Sequence, residues 1–320
     1  MKGAKQLGHT GITLRTPNPL RRRLMLAGLS LPVMPVLPGC APPLRDLSQP
    51  ATAAQARALL EASAAAHGAG ALAGINDINV RYAGHWRAVI DRLQPALVDA
   101  GHRGISEERL LLPARTIAQA FTGPRGRKQV TRHTRPGGQG DVRVWFDGEE
   151  AHDAERRAAA ALVADGYSLF LMGPMLLAGH WSVERSLVME LDGAVRISQD
   201  GRHHQCEVLR IRMQPGLGFS GADQLALFID VDERLMRRVR FSLNGLGSTQ
   251  GAIAEVELQD HVTHHGVRWP TRFYERLLRP LPLPVHNWTL AGLDVNRGLT
   301  DADVEGPAFG PRAEPPAAAL

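Results

Sequence analysis

The sequence predicts a mainly β, α+β fold in which one antiparallel sheet wraps around at least one helix. Three features carry that expectation. From residue 74 onward, short runs with apolar residues at every second position follow one another, most of them joined by turn residues and not by helices, which is the pattern of a meander. One long helical stretch, apolar on nearly every side in its second piece, interrupts them between residues 149 and 181. Only Cys206 follows Cys40, so no disulfide framework can hold the chain and a hydrophobic core must do so.

At the N-terminus, Arg21, Arg22 and Arg23 precede an apolar run from Leu24 to Leu37. That run is shorter than the roughly 20 residues needed to span a bilayer. A basic front, a short apolar middle and small residues before a break form the layout of an export signal, with both Sec and twin-arginine routes open. The signal closes in Leu37-Pro38-Gly39-Cys40, which resembles the lipobox of bacterial lipoproteins. This resemblance implies cleavage before Cys40 and acylation, by palmitate for example, of the cysteine itself. Ala41 stands where the retention signal of such lipoproteins has Asp, which points to the outer membrane and a domain facing the periplasm.

Charge alone suggests an anionic partner, because 37 basic residues face 32 acidic ones and the pI is near 9.7. However, six of the basic residues lie before Cys40 (Lys2, Lys5, Arg15 and the three arginines) without a single acid among them. The remainder is close to neutral, and nucleic acid is not an expected partner. The local cluster of Arg125, Arg127, Lys128, Arg132 and Arg135 reads as a solvated loop-and-strand face.

After a Pro-rich tether, "ATAAQARALLEASAAAHG" favours helix and is stopped by Gly68. "INDINVRYAG" and "VRVWFDG" read as strands, while "HWRAVIDRLQPALVDA" has helical spacing with a Pro that argues for extended chain. The helical stretch is expected from about Glu149 to Ala164, broken at Asp165-Gly166, with an apolar second piece kinked or ended at Gly173-Pro174. In "SLVMELDGAVRISQDG", Leu187, Met189 and Leu191 share a face, Asp192-Gly193 is the expected hairpin turn, and Val195 and Ile197 continue on the return. Further alternating runs follow through Leu209–Met213, Leu225–Val231, Leu235–Leu243, Ala252–Leu258 and Val267–Phe273.

Several motifs imitate chemistry. "GLGFSG" (Gly216 to Gly221) matches a dinucleotide fingerprint and nearly matches a nucleophile elbow, but a strand follows where both require a helix. His203, His204, His261, His264 and His265 lie near strand ends and could hold zinc only if their loops converged. They read as solvated turn residues, with His264-His265-Gly266 as a hairpin turn. No catalytic residue, metal or cofactor is expected, and the chain is read as non-enzymatic.

"VRVWFDGEEAH", the apolar helical insertion and "LFIDVDERLMRRVRF…AEVELQDHVTHHGVRWPTRF" together resemble the lipoprotein-carrier superfamily of LolA- and LolB-like proteins. The resemblance covers about residues 51–300. It implies an incomplete, curved antiparallel β-barrel whose open side is covered by helices and holds acyl chains. The expected organisation is a signal peptide (1–39), a lipid-anchored tether (40–50), one half-barrel domain (51–300) and a disordered tail (301–320). Cys40 is the membrane anchor, and Tyr167–Leu177 forms a lid over a dry cavity. Phe170, Met172, Met175, Leu176, Met189, Phe228 and Trp269 are the residues expected to line a site for a hydrophobic or lipid ligand. The alternative is a structural or interaction lipoprotein whose barrel is filled, with a protein partner left unknown.

Overall fold

The computed structural model describes residues 50–135 and 140–316; the expected signal peptide, Cys40 and most of the expected tether lie outside them. The first helix, α1 (Pro50–His67), buries Ala56, Leu59, Leu60, Ser63, Ala64 and His67, a stripe at helical spacing. Gly68, at φ +97°, ends it, and its missing Cβ lets the chain pass the Gly266 carbonyl, which a side chain would meet at 2.4 Å. A short α2 (Ala69–Leu72) leads into β1 (Asp77–Trp86). The ambiguous segment that follows is helical, as α3 (Ala88–Leu93) and α4 (Pro95–Val98), because Pro95 opens a new helix where its missing N–H costs nothing.

The first meander continues through β2 (Ile105–Leu111), β3 (Thr116–Gly123), β4 (Gly126–His133), β5 (Asp141–Phe146) and the short β6 (Glu149–Glu150). The long helix α5 (Ala154–Ala178) and a brief α6 (His180–Glu184) then carry the chain across the sheet. A second meander runs through β7 (Ser186–Gln199), β8 (Arg202–Gln214), β9 (Asp223–Asp230), β10 (Met236–Ser242) and β11 (Ile253–Gln259). The hairpin β12 (Val262–His264) and β13 (Val267–Trp269) leaves the sheet before β14 (Arg272–Arg279) and β15 (Leu283–Val295) return to it.

Thirteen strands form one antiparallel sheet in the order β6-β5-β4-β3-β2-β1-β15-β14-β11-β10-β9-β8-β7. The two meanders join through the β1–β15 pair, so the sheet stays open between edges β6 and β7. Helix α5 connects those edges and touches β3, β4 and β5 of one meander and β10 of the other. One helix reaches both halves only if the sheet curves around it. The expected half-barrel is therefore present, and its concave side is occupied by α5 with α1 beside it.

Four local readings are corrected. Helix α5 starts at Ala154, capped by Asp153, whose side chain accepts from the Arg156 N–H at 2.8 Å. It then runs unbroken through Asp165-Gly166 and Pro174. Burial of nearly the whole helix outweighs those local breakers, although an interior Pro alone costs about 3 kcal/mol. Asp192-Gly193 is not a hairpin turn but a bulge inside β7, where the register with β8 shifts between Leu191 and Ala194. The turn is Asp200-Gly201, with φ of +48° and +73°. The extra residue moves Val195 and Ile197 to the opposite face from Met189. The basic cluster is not a solvated face throughout, because Lys128 and Arg132 are buried.

Finally, residues 301–316 are ordered and not a disordered tail. The Asp77 carboxylate accepts the backbone N–H groups of Arg297, Gly298 and Leu299 at 3.0, 2.8 and 3.1 Å. From there the chain forms α7 (Asp301–Val304) and lies across the outer face of β2 and β3, where Val304 and Ala313 pack on Leu111 and Ala118. Arg109 fastens it by donating to the Ala313 carbonyl at 3.2 and 2.9 Å.

Candidate functional site

Six of the seven residues expected to line a ligand cavity lie in one packed core, five of them on the concave face and α5. Phe170 sits 5.3 Å from the Phe241 ring and 5.8 Å from Trp288. Gly173 lets α5 approach β10 so closely that a Cβ would meet the Met236 methyl at 2.6 Å. Met172 and Leu176 face β2 and β3, together with Leu110, Ile117 and Trp181, around a gap of about 40 Å³. Met175 belongs to the same core, and Met189 joins it from β7, the strand against which α1 lies. Trp269 is fully buried in that cluster too, yet it stands on the β12–β13 hairpin beside α1 and α2, with its indole N–H donating to the His264 carbonyl at 3.0 Å.

Phe228 is the exception. Leu225, Leu227 and Ile229 of β9 point into the concave core, so period-two alternation puts Phe228 on the convex face. There it packs with Ile197, Cys206 and Val208 beside an open groove of about 520 Å³ flanked by Arg210, Arg240 and Arg279. Cys206 is a free, buried thiol, pushed up to about 11 chiefly by burial.

A polar latch holds α5 in place. Asp165, near the middle of the helix, receives two hydrogen bonds from Arg132 of β4 at 2.7 and 3.0 Å and one from Arg185 at 3.1 Å. The Gly218 N–H adds a fourth at 2.9 Å. Burial by itself would raise this carboxyl, but the two guanidinium groups and the Gly218 amide hold it below the usual carboxylate range. The glycine-rich loop is thus a turn, as its sequence context implied, and its backbone serves the core: Gly218 has φ +59° and approaches the Leu162 backbone. Sequence reading assigned Asp165 to a helix break and Arg132 to solvent. Their distant partners could not be read from local pattern.

At one end of the concave side, Trp86, His286, Trp288 and Phe273 stack in a column with ring centroids 4.3, 4.5 and 4.8 Å apart. The His286 imidazole inside this column is held well below its ordinary value by burial. Beside it lies an apolar seam between α4 and the first half of α5, lined by Leu97, Leu162, Phe170, Phe241 and Leu243, with a gap of about 40 Å³. Glu275 is the carboxyl side chain at the seam, and burial pushes it up to about 7. Helix α4 covers the seam with Leu97, and α3, packed on α4, leaves Val89 and Leu93 exposed at 45% and 55%.

The turn histidines do not converge on a metal site among the described residues. His264 and His265 lie at the β12–β13 turn, where His265-Gly266 has φ of +51° and +74°, as the sequence implied. His204 instead contacts Asp230 at 2.7 Å. His261 is not a solvated turn residue: its ring nitrogens are buried 5.6 Å from the His67 ring, and burial lowers it to about 2.

No protein-family model and no curated protein matches this chain. Solved structures to which this chain is similar include a DUF1329 family protein from Desulfovibrio piger, at 12% identity and a TM-score of 0.49 over 79% of this chain and 97% of that one. A LolA superfamily protein from Nitrosomonas europaea is similar at 13% identity and a TM-score of 0.47, over 78% and 97%. An open antiparallel sheet covered by helices is the LolA-like arrangement that the sequence resemblance implied.

Proposed function

We propose that this chain is a non-enzymatic envelope lipoprotein, anchored through Cys40 to the outer membrane and facing the periplasm, that binds or hands over a hydrophobic, acyl-chain ligand. What supports ligand binding is the apolar seam between α4 and α5. Pockets that hold small ligands run to about 300–1,000 Å³. The seam must therefore open to admit an acyl chain, and the element that opens is assigned to α3–α4 and not to Tyr167–Leu177. Helices α3 and α4 have six and four residues, and Ile90 and Val98 form only a small cluster of their own with Val285. By contrast, α5 is buried along nearly its whole length and latched by two arginines. Few buried contacts mark the segments that open at low cost.

Organic extracts of purified protein analysed by mass spectrometry, and uptake of a fluorescent fatty acid, test the reading. Leu97→Trp, which fills the seam, is expected to keep the melting temperature within a few degrees and to lose uptake. A parent that carries no lipid and takes up no fatty acid rejects the carrier. For the anchor, Cys40→Ser is expected to release the protein from the membrane fraction, because stable attachment takes two acyl chains or an added basic patch.

The second reading, an interaction lipoprotein with a filled barrel, is favoured by one observation: Phe170, Met172, Met175 and Leu176 are all at most 6% exposed, around gaps near 40 Å³.

A further inference from the structure

His133, Asp301 and Glu305 come together from opposite parts of the chain, at the end of β4 and on the strap that crosses the outer face of the sheet. Each offers a ligand atom, and these atoms lie within 4.8 Å of one another. The Glu305 N–H bonds the Asp301 carbonyl at 2.8 Å, and this single turn sets the two carboxylates on one side.

The hydrogen bonds around Thr116 fix the imidazole. The buried Thr116 hydroxyl donates to Asp301 Oδ1 at 2.7 Å, since a carboxylate can only accept. Its only hydrogen is thereby used. The 3.0 Å contact between Thr116 Oγ1 and His133 Nδ1 then needs the proton on Nδ1. In the neutral ring, Nε2 is left as an acceptor, and it faces another acceptor, Glu305 Oε1, at 3.3 Å. Two lone pairs face to face are unfavourable unless a positive species lies between them: a proton on Nε2, or a metal ion. Bonds of about 2.0–2.2 Å to one tetrahedral zinc separate its ligand atoms by about 3.3–3.5 Å. The nearby Arg143 guanidinium does not fill the role, because it is committed to Glu150 at 2.9 and 2.6 Å.

We infer that His133, Asp301 and Glu305 form a site for a divalent first-row cation of the zinc class, which clasps the 296–316 strap to strands β3 and β4. The imidazole is a borderline ligand and zinc also accepts carboxylate oxygen, so one imidazole with two carboxylates suits zinc better than magnesium, which takes oxygen ligands and keeps its waters. Thr116 is a positioning residue: it orients His133 from behind, as outer partners of metal-bound histidines do. The half-exposed Glu305 leaves room for water to complete the coordination.

Full-length protein stripped with a chelator and titrated with zinc chloride by calorimetry tests the site, with metal content measured after dialysis. One equivalent of zinc and no magnesium is the expected result. His133→Ala and Glu305→Gln should each lower the affinity at least tenfold, and Thr116→Val by about 10–100-fold. Zinc should also slow tryptic cleavage at Arg297 and Arg312 in the parent and not in His133→Ala, a readout that a purely local packing role would not move. Circular dichroism checks that the variants fold, and Glu305→Gln changes only a half-exposed side chain if His133→Ala does not. Absence of zinc binding overturns the inference, as does zinc uptake that His133→Ala and Glu305→Gln leave unchanged, which would place the metal elsewhere. A strap whose cleavage zinc does not slow equally overturns it.

Discussion

Arg132 grips Asp165 through two hydrogen bonds, 2.7 and 3.0 Å long, at a point in the core where neither side chain reaches solvent. The pair joins strand β4 to the middle of α5, and Arg185 adds a second cation to the same carboxylate. Removing the carboxylate strands two buried guanidinium groups. Breaking a buried ion pair from one side costs about 3–5 kcal/mol. Asp165→Asn is therefore expected to lower unfolding stability by about that amount, read from urea denaturation. If the loss is under about 1 kcal/mol, water must reach the two arginines and the latch is not sealed.

His67 supplies the pH dependence. Its Nε2 accepts the Met236 N–H at 3.0 Å while Nδ1 lies 3.2 Å from the Arg268 carbonyl, and burial lowers it from 6.5 to about 4. A folded value below the unfolded one means that the stabilisation is present above about 6.5 and is lost as pH falls from there through 4. The melting temperature of the parent should drop over that window more than that of His67→Gln, which starts lower at pH 7 but cannot take up the proton. Parallel melting curves for parent and variant across pH 4 to 7 would exclude this account.

The glycines at positions 193 and 201 test the corrected geometry of β7. Both have positive φ, +82° and +73°, the first in the bulge and the second in the turn. A β-branched residue in that region costs about 1–2 kcal/mol. Gly193→Val and Gly201→Val should each lower the urea midpoint accordingly, and their effects should add because the sites are well separated along the strand. A neutral Gly193→Val would mean that β7 can continue without the bulge.

Phe170 and Phe228 are both nearly buried phenylalanines, yet they lie on opposite faces of the sheet. Phe170→Ala leaves a void inside a closed core, which costs about 3–5 kcal/mol for this substitution. Phe228→Ala opens onto the convex groove, where water can fill the space, and the loss should be smaller. Equal losses in calorimetric melting would show that the convex cluster is as closed as the core.

Strand existence was legible because alternation is a local property: Leu209, Ile211 and Met213, or Leu225, Leu227 and Ile229, declare a half-buried strand whatever they pair with. The strands spanning residues 105–133 were less legible because they bury both faces, with Arg109, Lys128 and Arg132 inside, and so lack the apolar–polar rhythm. Of the residues expected to line a site, Phe170, Met172, Met175, Leu176, Met189 and Trp269 lie in the main buried core. Phe228 was assigned against its own strand's alternation.

What the sequence by itself determined is the part governed by neighbours along the chain: antiparallel strands in an open sheet, the α1 helix ended at Gly68, and the His265-Gly266 turn. Tertiary structure decided the rest. Asp192-Gly193 and Asp200-Gly201 carry the same turn signal, and only pairing with β8 makes one a bulge and the other a turn. Asp165-Gly166 and Pro174 argue locally against helix, but α5 connects the two edges of the open sheet and is buried from Ala159 to Leu177 on the way. Packing against both meanders and the two arginines on Asp165 together outweigh a local penalty of a few kcal/mol.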